Sequence, residues 1–180
     1  TNPKLIPEIL DFYSIVKKDL CLEEAETVII EEQDPRKMGP AISFEVQNDY
    51  ETISEKFYTF QDKDLMTKAF FPFTDPNMLF SAKDGTSDIF VNFNPLDGNG
   101  VIVGYRHSGS DLRNTLMWFC EEASKSGMRY IEMLVSAYLP HKQRLALDAK
   151  FLPCAYFPAM KMNDDGLRED FLVFSRSFES

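Results

Sequence analysis

The sequence lacks an apolar run that could cross a membrane, and it lacks the cysteine pattern of disulfide-rich or metal-bound folds. No stretch of 18 or more apolar residues occurs in the 180-residue chain, which argues against a transmembrane helix. Cys21, Cys120 and Cys154 are far apart and form no CxxC pair or Cys/His cluster. We therefore expect a reduced, cytoplasmic protein without a metal site.

Positive charge is also scarce, with 19 Lys and Arg against 29 Asp and Glu and a formal net charge of −10. Such a surface repels nucleic acid and anionic membranes, so neither is expected as a partner. The N-terminus has no secretory signal and no initiator Met, which suggests a processed chain or part of a longer protein. Apolar residues, by contrast, make up 44% of the chain and include 16 Phe, enough for a packed core.

The first 40 residues are predicted to form a helix–strand extension to a main domain over residues 41–180. Apolar residues recur at helical spacing in residues 3–24, and a β-branched run at residues 25–33 indicates a strand. Two prolines and a glycine in residues 34–40 mark a linker between the two parts.

The order of elements in the main domain predicts a mixed sheet. A strand at residues 41–49 precedes two helices, over residues 49–60 and 62–73, with Asp49 and Asp62 as N-caps. Three antiparallel strands joined by Asp-Gly turns follow, and then a helix, a strand, a helix and two strands. Their predicted ranges are 77–83, 87–94, 100–106, 110–127, 128–137, 141–151, 154–162 and 170–178. We expect an α/β (α+β) fold, with a mostly antiparallel sheet and helices on both faces.

The stretch VIVGYRHSGSDLRNT contains a loop that opens the helix predicted at residues 110–127. A glycine-containing loop at a helix N-terminus is typical of phosphate sites, because backbone N–H groups point at the anion. Asp111 opposes this interpretation, because its charge repels a phosphate. Ser110 or Asp111 is also a good N-cap, so this loop could simply close its own helix.

The element order over residues 41–178 is similar to that of the GNAT acyltransferase superfamily. The stretch MRYIEMLVSAYLPHKQRLALDAKF resembles the family's fifth strand and fourth helix, which lead to a Gly-Phe pair. Phe151 stands at the Phe, and Lys150 replaces the Gly. The resemblance implies acyl transfer from a CoA or carrier-protein thioester to the amine of a small molecule or a protein.

The family binds the donor pyrophosphate at an Arg/Gln-x-x-Gly-x-Gly/Ala motif. When Arg106 anchors the motif, Arg106 and Gly109 fit, and Asp111 departs from it. A second frame, which begins at Ser108, matches no position. In the first frame, acetyl-CoA or another acyl-CoA is expected to bind at a set of five residues, namely Val103, Arg106, Gly109, Ser110 and Asp111.

Many family members use a strand glutamate as the base and a tyrosine of the fourth helix as the acid. Glu132, on a predicted central strand, is the expected base, and Glu45 is the weaker alternative. The helix itself contains no tyrosine, so Tyr138 before it, or Tyr156 after it, is the expected acid.

Three further residues carry groups that catalysis could use. His141 opens the fourth helix and is a further catalytic candidate, and His107, in the loop, is an alternative. Cys120 lies on the apolar face of its helix and is expected to be buried filler.

A second interpretation is a GNAT-like domain that has lost catalysis and serves as a binding or accessory part of a larger protein. Asp111, Lys150 and the missing helix tyrosine favour this interpretation. Fold resemblance alone does not carry function, so both interpretations stay open at the level of sequence.

Overall fold

The computed structural model describes residues 2–31, 38–71, 74–109, 111–162 and 165–178. Residues 34–37 of the predicted linker, and Ser110 of the predicted donor loop, therefore lie outside the described residues. The chain divides into two compact units. The first unit comprises Thr1–Arg36 and Leu134–Ser175, and the second comprises Lys37–Met133 and Arg176–Ser180.

The second unit contains an antiparallel meander with a parallel strand at one side. The strand order is β3-β5-β6-β7-β8, and β4 also pairs with β7. Helix α3 connects β7 to β8, which run parallel and so need a crossover. The bounds are β3 Phe44–Gln47, α2 Tyr50–Asp62, β4 Thr67–Lys68, β5 Met78–Ala82, β6 Ser87–Asn94, β7 Asn99–His107, α3 Leu112–Lys125 and β8 Tyr130–Ser136.

The first unit includes the end of β8 and the N-terminal and C-terminal elements. Their bounds are β1 Lys4–Leu5, α1 Pro7–Leu20, β2 Glu26–Thr27, α4 Pro140–Asp148, β9 Leu152–Met162 and β10 Arg168–Ser177. The amide of Gln143, which is fully buried, accepts a hydrogen bond from Ile6 N and donates to Lys4 O and Ser136 O. The N-terminal segment is thereby bonded to α4 and to the end of β8.

The fold class predicted from the sequence is confirmed: helices accompany an eight-stranded, mostly antiparallel sheet. Strands β5, β6 and β7 lie within one residue of their predicted bounds, because each Asp-Gly turn between them is a local signal. Strand β3 begins three residues later than predicted. Asp49 caps α2 as predicted, with its carboxylate accepting a hydrogen bond from Thr52 N at 3.2 Å. The boundary between an extension and a main domain at residue 40 stays a prediction.

The prediction of a helix over residues 62–73 is wrong. Helix α2 ends at Asp62, and Asp64 has a positive φ of 54°, which turns the chain out of the helix. Strand β4 follows, so Asp62 is not an N-cap but the last residue of α2. Pairing with β7 prevails here over the local helical pattern. Of the strand predicted at residues 25–33, Glu26–Thr27 form β2 and pair with β1, residues 28–31 are not in a strand, and residues 32–33 lie outside the described residues.

The core of the second unit lies between α2 and the meander. A cluster of buried apolar side chains joins them, comprising Ile53, Phe57, Leu79, Phe90 and Val103. Phe57 and Phe90 meet edge-to-face, with ring centroids 5.1 Å apart. This cluster fixes β7, the strand that leads into the predicted donor loop.

Candidate functional site

Helix α3 is closed at its start by Asp111. The Asp111 carboxylate accepts a hydrogen bond from Asn114 N at 2.9 Å, as an N-cap does. This confirms the alternative that an acidic residue of the loop caps its own helix. Because the cap uses an N–H group at the helix start, a phosphate there would have to compete with a carboxylate.

The loop before α3 is held to the neighbouring hairpin. Ser108 N donates to Thr86 O at 2.7 Å, and the Ser108 hydroxyl bonds to the same oxygen. Gly109 is exposed and has a φ of 131°, which a residue with a side chain rarely adopts. The glycine is therefore required by the path of the loop.

Arg106 is engaged by the strand beside it rather than by the loop. Its guanidinium donates to Asp88 Oδ2 at 2.7 Å and to Gly85 O at 2.9 Å. The other oxygen of Asp88 accepts from Lys56 at 3.0 Å and from Ser81 at 2.6 Å. Arg106 is thus committed to a nearly buried carboxylate, and sequence analysis did not identify that carboxylate.

Two opposite effects act on the pKa of Asp88, namely burial and the hydrogen bonds from its partners. Burial would raise the pKa, but hydrogen bonds from Ser81, Lys56 and Arg106 outweigh it, and the net pKa lies below the ordinary value of an aspartate. Asp88 is therefore charged at neutral pH, and the two cations are there to balance it.

His107, the last residue of β7, bonds to Ser87 across the hairpin. The Ser87 hydroxyl lies 2.6 Å from His107 Nδ1, and Ser87 is 1% exposed. His107 Nε2 is buried and has no hydrogen-bond partner among the described residues. Burial, followed by the charge of Arg106, lowers the pKa of His107. The imidazole is therefore neutral at neutral pH and offers no positive charge to an anion.

Glu132 lies where the parallel ladder between β7 and β8 ends. The paired positions are Asn99 with Tyr130, Gly100 with Ile131, and Val101 with Glu132. The Glu132 side chain is half-buried, and its Oε2 accepts a hydrogen bond from the Tyr130 hydroxyl at 2.8 Å. The tyrosine holds the carboxylate on one face of β8, because residues two apart point to the same side of a strand.

Beyond Val101, the edge of β7 that first pairs with β8 is taken by β4. Strand β6 occupies the other edge of β7 along its whole length, from Ser87–His107 to Asn94–Asn99. Val103, predicted to bind the donor, is 4% exposed, and its carbonyl accepts a hydrogen bond from Ala69 N at 2.9 Å. The edge at Val103 is thus occupied by the chain itself.

Tyr138 and His141 belong to the first unit. Tyr138 is half-buried, and its backbone N–H donates to the Ser136 hydroxyl at 3.1 Å. Burial, followed by the charge of Asp170, raises the pKa of Tyr138, so the phenol keeps its proton at neutral pH. His141 is exposed in the first turn of α4.

Tyr156, the alternative acid, is buried and committed to structure. Its hydroxyl donates to Asp170 Oδ2 at 2.5 Å, and its ring packs edge-to-face on Tyr13 at 5.3 Å. Burial and the hydrogen bond to Asp170 raise the pKa of Tyr156 far above its ordinary range. It is therefore a poorer proton donor than Tyr138.

The residues predicted to bind the donor meet only in part. Arg106, Gly109 and Asp111 lie at the end of β7 and the start of α3, but Arg106 is bound to Asp88 and Asp111 to its own helix. As they stand, these groups do not fit a pyrophosphate. Cys120 is buried, as predicted, and burial raises the pKa of its thiol to about 12.

Two searches of the described residues, for a spanning helix and for a cluster of metal-ligand side chains, are negative. No helix there is long and apolar enough to span a bilayer. Those same residues contain no group of three His, Cys, Asp or Glu side chains placed to hold a metal ion.

Solved structures resemble this one at low sequence identity. No family model and no curated protein matches the chain. The ribosomal-protein-S18-alanine N-acetyltransferase from Escherichia coli has a TM-score of 0.53 and 12% identity, covering 77% of this chain and 96% of its own. An acetyltransferase from Bacillus subtilis, in complex with CoA, has a TM-score of 0.49 and 12% identity, covering 77% and 99%. The ribosomal-protein-alanine N-acetyltransferase from Brucella melitensis has a TM-score of 0.48 and 13% identity, covering 72% and 79%.

At identities this low, structural similarity indicates the fold alone. The Escherichia coli structure supports that fold over most of both chains. The parallel β7–β8 pair joined by α3, the preceding meander and the final antiparallel strands match the element order expected from the sequence. The chain therefore has the GNAT fold.

Proposed function

We propose that the protein is an acyltransferase, which moves an acyl group from the thioester of CoA, or of a carrier protein, to an amine. The observation that carries the proposal is Glu132, a half-buried carboxylate at the last pair of the β7–β8 ladder, oriented by Tyr130. The acceptor is a small-molecule or protein amine. A cytoplasmic location belongs to the proposal and is consistent with three free cysteines.

In this proposal, Glu132 accepts a proton from the acceptor ammonium, and the freed amine attacks the thioester carbonyl. The C–N bond forms, the C–S bond breaks, and the departing thiolate needs a proton. Tyr138 is the proposed donor, because its phenol carries a proton at neutral pH and the hydroxyl of Tyr156, the alternative, is already committed to Asp170. His141 is the proposed alternative, since it is exposed and free of the core.

A second candidate function is binding without catalysis, as an accessory domain. The cap formed by Asp111 favours it, because the carboxylate and a pyrophosphate would lie close together at the start of α3. If the thioester is carried by a protein rather than by CoA, the repulsion between the Asp111 carboxylate and the donor's phosphate is reduced only in part. The two candidates differ in whether a thioester is consumed.

The test combines binding with turnover. Thermal unfolding is followed with and without millimolar acetyl-CoA, and release of free thiol is followed with a panel of small amines and N-terminal peptides. Ligand at 100 times its Kd should add about 2.7 kcal/mol of stability. A shift together with thiol release supports the enzyme, and a shift without release supports the accessory domain. If millimolar donor causes neither a thermal shift nor thiol release, the CoA-dependent function is contradicted.

Replacing Asp111 with asparagine should tighten CoA binding about tenfold, because the change removes a negative charge near the phosphates. At an intermediate dielectric, such a repulsion costs about 4 kcal/mol at 4 Å, and solvent screening at this exposed residue reduces it. Asparagine caps a helix as well as aspartate, so the stability of α3 should be retained. Titration calorimetry with CoA measures the effect.

The matched control is Asp49→Asn, which makes the same change at the N-cap of α2. It should leave the CoA affinity unchanged. An unaltered or weaker affinity in Asp111→Asn would mean that the phosphates do not approach the start of α3.

A further inference from the structure

Strand β4 occupies an edge of β7 that the rest of the fold leaves open. The ladder between β7 and β8 stops after Val101 and Glu132, although β7 continues for six more residues. Beyond that point, the N–H and C=O groups on this edge need other partners. Thr67 and Lys68 of β4 pair with Tyr105 and Gly104, and the ladder ends on the bond from Ala69 N to Val103 O.

A free strand edge binds extended chains that carry amides, because it adds them as one more strand. The arm that joins the thioester of CoA or of a carrier protein to its phosphate is such a chain, with two amides in series. On the present edge, Thr67–Lys68 already make the bonds that this arm would make. Arm and β4 therefore cannot bind to the same edge residues at once.

The pairing of β4 with β7 is only two residues long, and the segment around it is anchored by Met66 and by Ala69, which is 1% exposed. Thr67 and Lys68 are both exposed. Met66 packs flat on Gly104, where an added Cβ would lie 2.8 Å from the Met66 sulfur. Met66 also lies against the buried cluster defined above, and methionine adapts readily to a changed environment. A two-residue strand anchored in this way can separate from β7 without unfolding the meander.

The surface beside the strand is imperfectly filled. A narrow crevice runs along it, lined by Phe57 and Gln61 of α2, by Lys68, Phe70 and Phe71, and by Val103. Local openings of this kind arise where contacts are sparse, and they proceed at lower free energy than global unfolding. Lys68, Phe70 and Phe71 belong to the segment around β4, so the crevice marks incomplete packing of this segment against α2 and β7.

We propose that residues 65–71 form a displaceable internal strand that competes with the acyl donor for the Val103–Tyr105 edge of β7. This inference rests on the proposed function, whose donor site it regulates. The donor binds the fraction of molecules in which β4 has separated, so its apparent affinity is reduced by that fraction. A partner or acceptor that holds residues 65–71 away from β7 would activate the protein.

The test is a disulfide that joins β4 to β7 and can be opened again by reduction. Thr67 and Tyr105 are Cα partners, which places their Cα atoms within the range that a disulfide spans. The double variant Thr67→Cys/Tyr105→Cys is made in a Cys21→Ser/Cys154→Ser background, because those two native thiols are exposed. Donor binding is measured by calorimetry with a thioether analogue of acetyl-CoA, which can neither acylate nor reduce a thiol.

We expect the oxidised double variant to lose measurable binding and the reduced form to regain it. The matched control is Asn94→Cys/Asn99→Cys, a pair of Cα partners at the far end of the β6–β7 hairpin. Its oxidation should not change binding. Equal affinity of the oxidised and reduced Thr67→Cys/Tyr105→Cys forms would overturn the inference while leaving the proposed function intact. Absence of binding by the parent protein would overturn both.

Hydrogen exchange supplies a second readout that does not depend on a variant. The Ala69 amide reports the β4–β7 ladder directly, since it donates to Val103 O. Addition of the analogue should accelerate exchange at Ala69 and leave the amides of the β6–β7 ladder protected. Slower or unchanged exchange at Ala69 in the bound protein would overturn the displacement.

Discussion

Replacing Glu132 with glutamine should lower kcat for acyl transfer by about 10²–10⁴-fold, the usual contribution of a general base. Glutamine has nearly the same shape and can still bond to the Tyr130 hydroxyl, but it cannot accept the acceptor's proton. Binding of the thioether analogue should be unchanged, because Glu132 acts on the acceptor amine. The measurement is thiol release at saturating donor, with the amine that the panel identifies as acceptor.

Two variants separate catalysis from folding. Glu26→Gln changes an exposed glutamate of β2 in the same way and should leave kcat unchanged. Tyr130→Phe keeps the carboxylate and removes the hydroxyl that orients it, so its kcat should fall less than that of Glu132→Gln. A Glu132→Gln protein with parental kcat would exclude Glu132 as the base.

The meander could be predicted from sequence because its signals are local. Gly85 and Gly98 have φ angles of 78° and 76°, and each follows an aspartate in the turn that joins two strands. Such turns require a residue that tolerates positive φ, so the Asp-Gly pairs mark them directly. The N-cap of α3 could also be predicted from the sequence, because Asp111 directly precedes the helix.

Strand β4 could not be predicted in this way, because its conformation depends on a distant partner. Leu65 and Ala69 are four residues apart and imitate a helical face, yet Ala69 is buried and Leu65 is 50% exposed. The decisive interaction is the ladder to Gly104 and Tyr105, about 37 residues further along the chain. Nothing within the segment itself indicates this pairing.

The link between Arg106 and Asp88 was hidden by a register shift. The hairpin turn pairs Asn94 with Asn99, and an unbroken count from there would place Asp88 opposite Tyr105. Val91 pairs with Ile102, but the next residue of β6, Phe90, pairs with Gly104, so β7 has one extra residue at this bulge. The bulge brings Arg106 opposite Asp88 instead. The motif alone therefore predicts that Arg106 binds a phosphate, whereas the sheet pairs it with the Asp88 carboxylate.

Replacing Asp88 with asparagine should lower the free energy of unfolding by about 1–3 kcal/mol, the usual cost of losing hydrogen bonds to a charged group, because Lys56 and Arg106 remain partly in water. The Asp88 side chain is 5% exposed, and it receives hydrogen bonds from Lys56, Ser81 and Arg106. Asparagine cannot balance the two cations, and both then remain close together beside Phe60. Urea unfolding at pH 7 measures the loss.

The control for Asp88 is Glu55→Gln, which removes an exposed acid next to Lys56 on α2. Surface substitutions of this kind usually change stability by no more than about 0.5 kcal/mol. A loss as small as this in Asp88→Asn would mean that the carboxylate is not the centre of the cluster.

The stability gap between the parent and Asp88→Asn should also depend on pH. The folded pKa of Asp88 is lowered, so the charged carboxylate stabilises the fold fully above the unfolded pKa, which is about 3.9. As pH falls through the folded pKa, Asp88 takes up a proton in the folded state too, and its contribution disappears. The gap should therefore be constant from pH 7 to about 5 and should shrink below about pH 4. A gap that stays the same down to the folded pKa would show that Asp88 acts through shape and hydrogen bonding rather than through its charge.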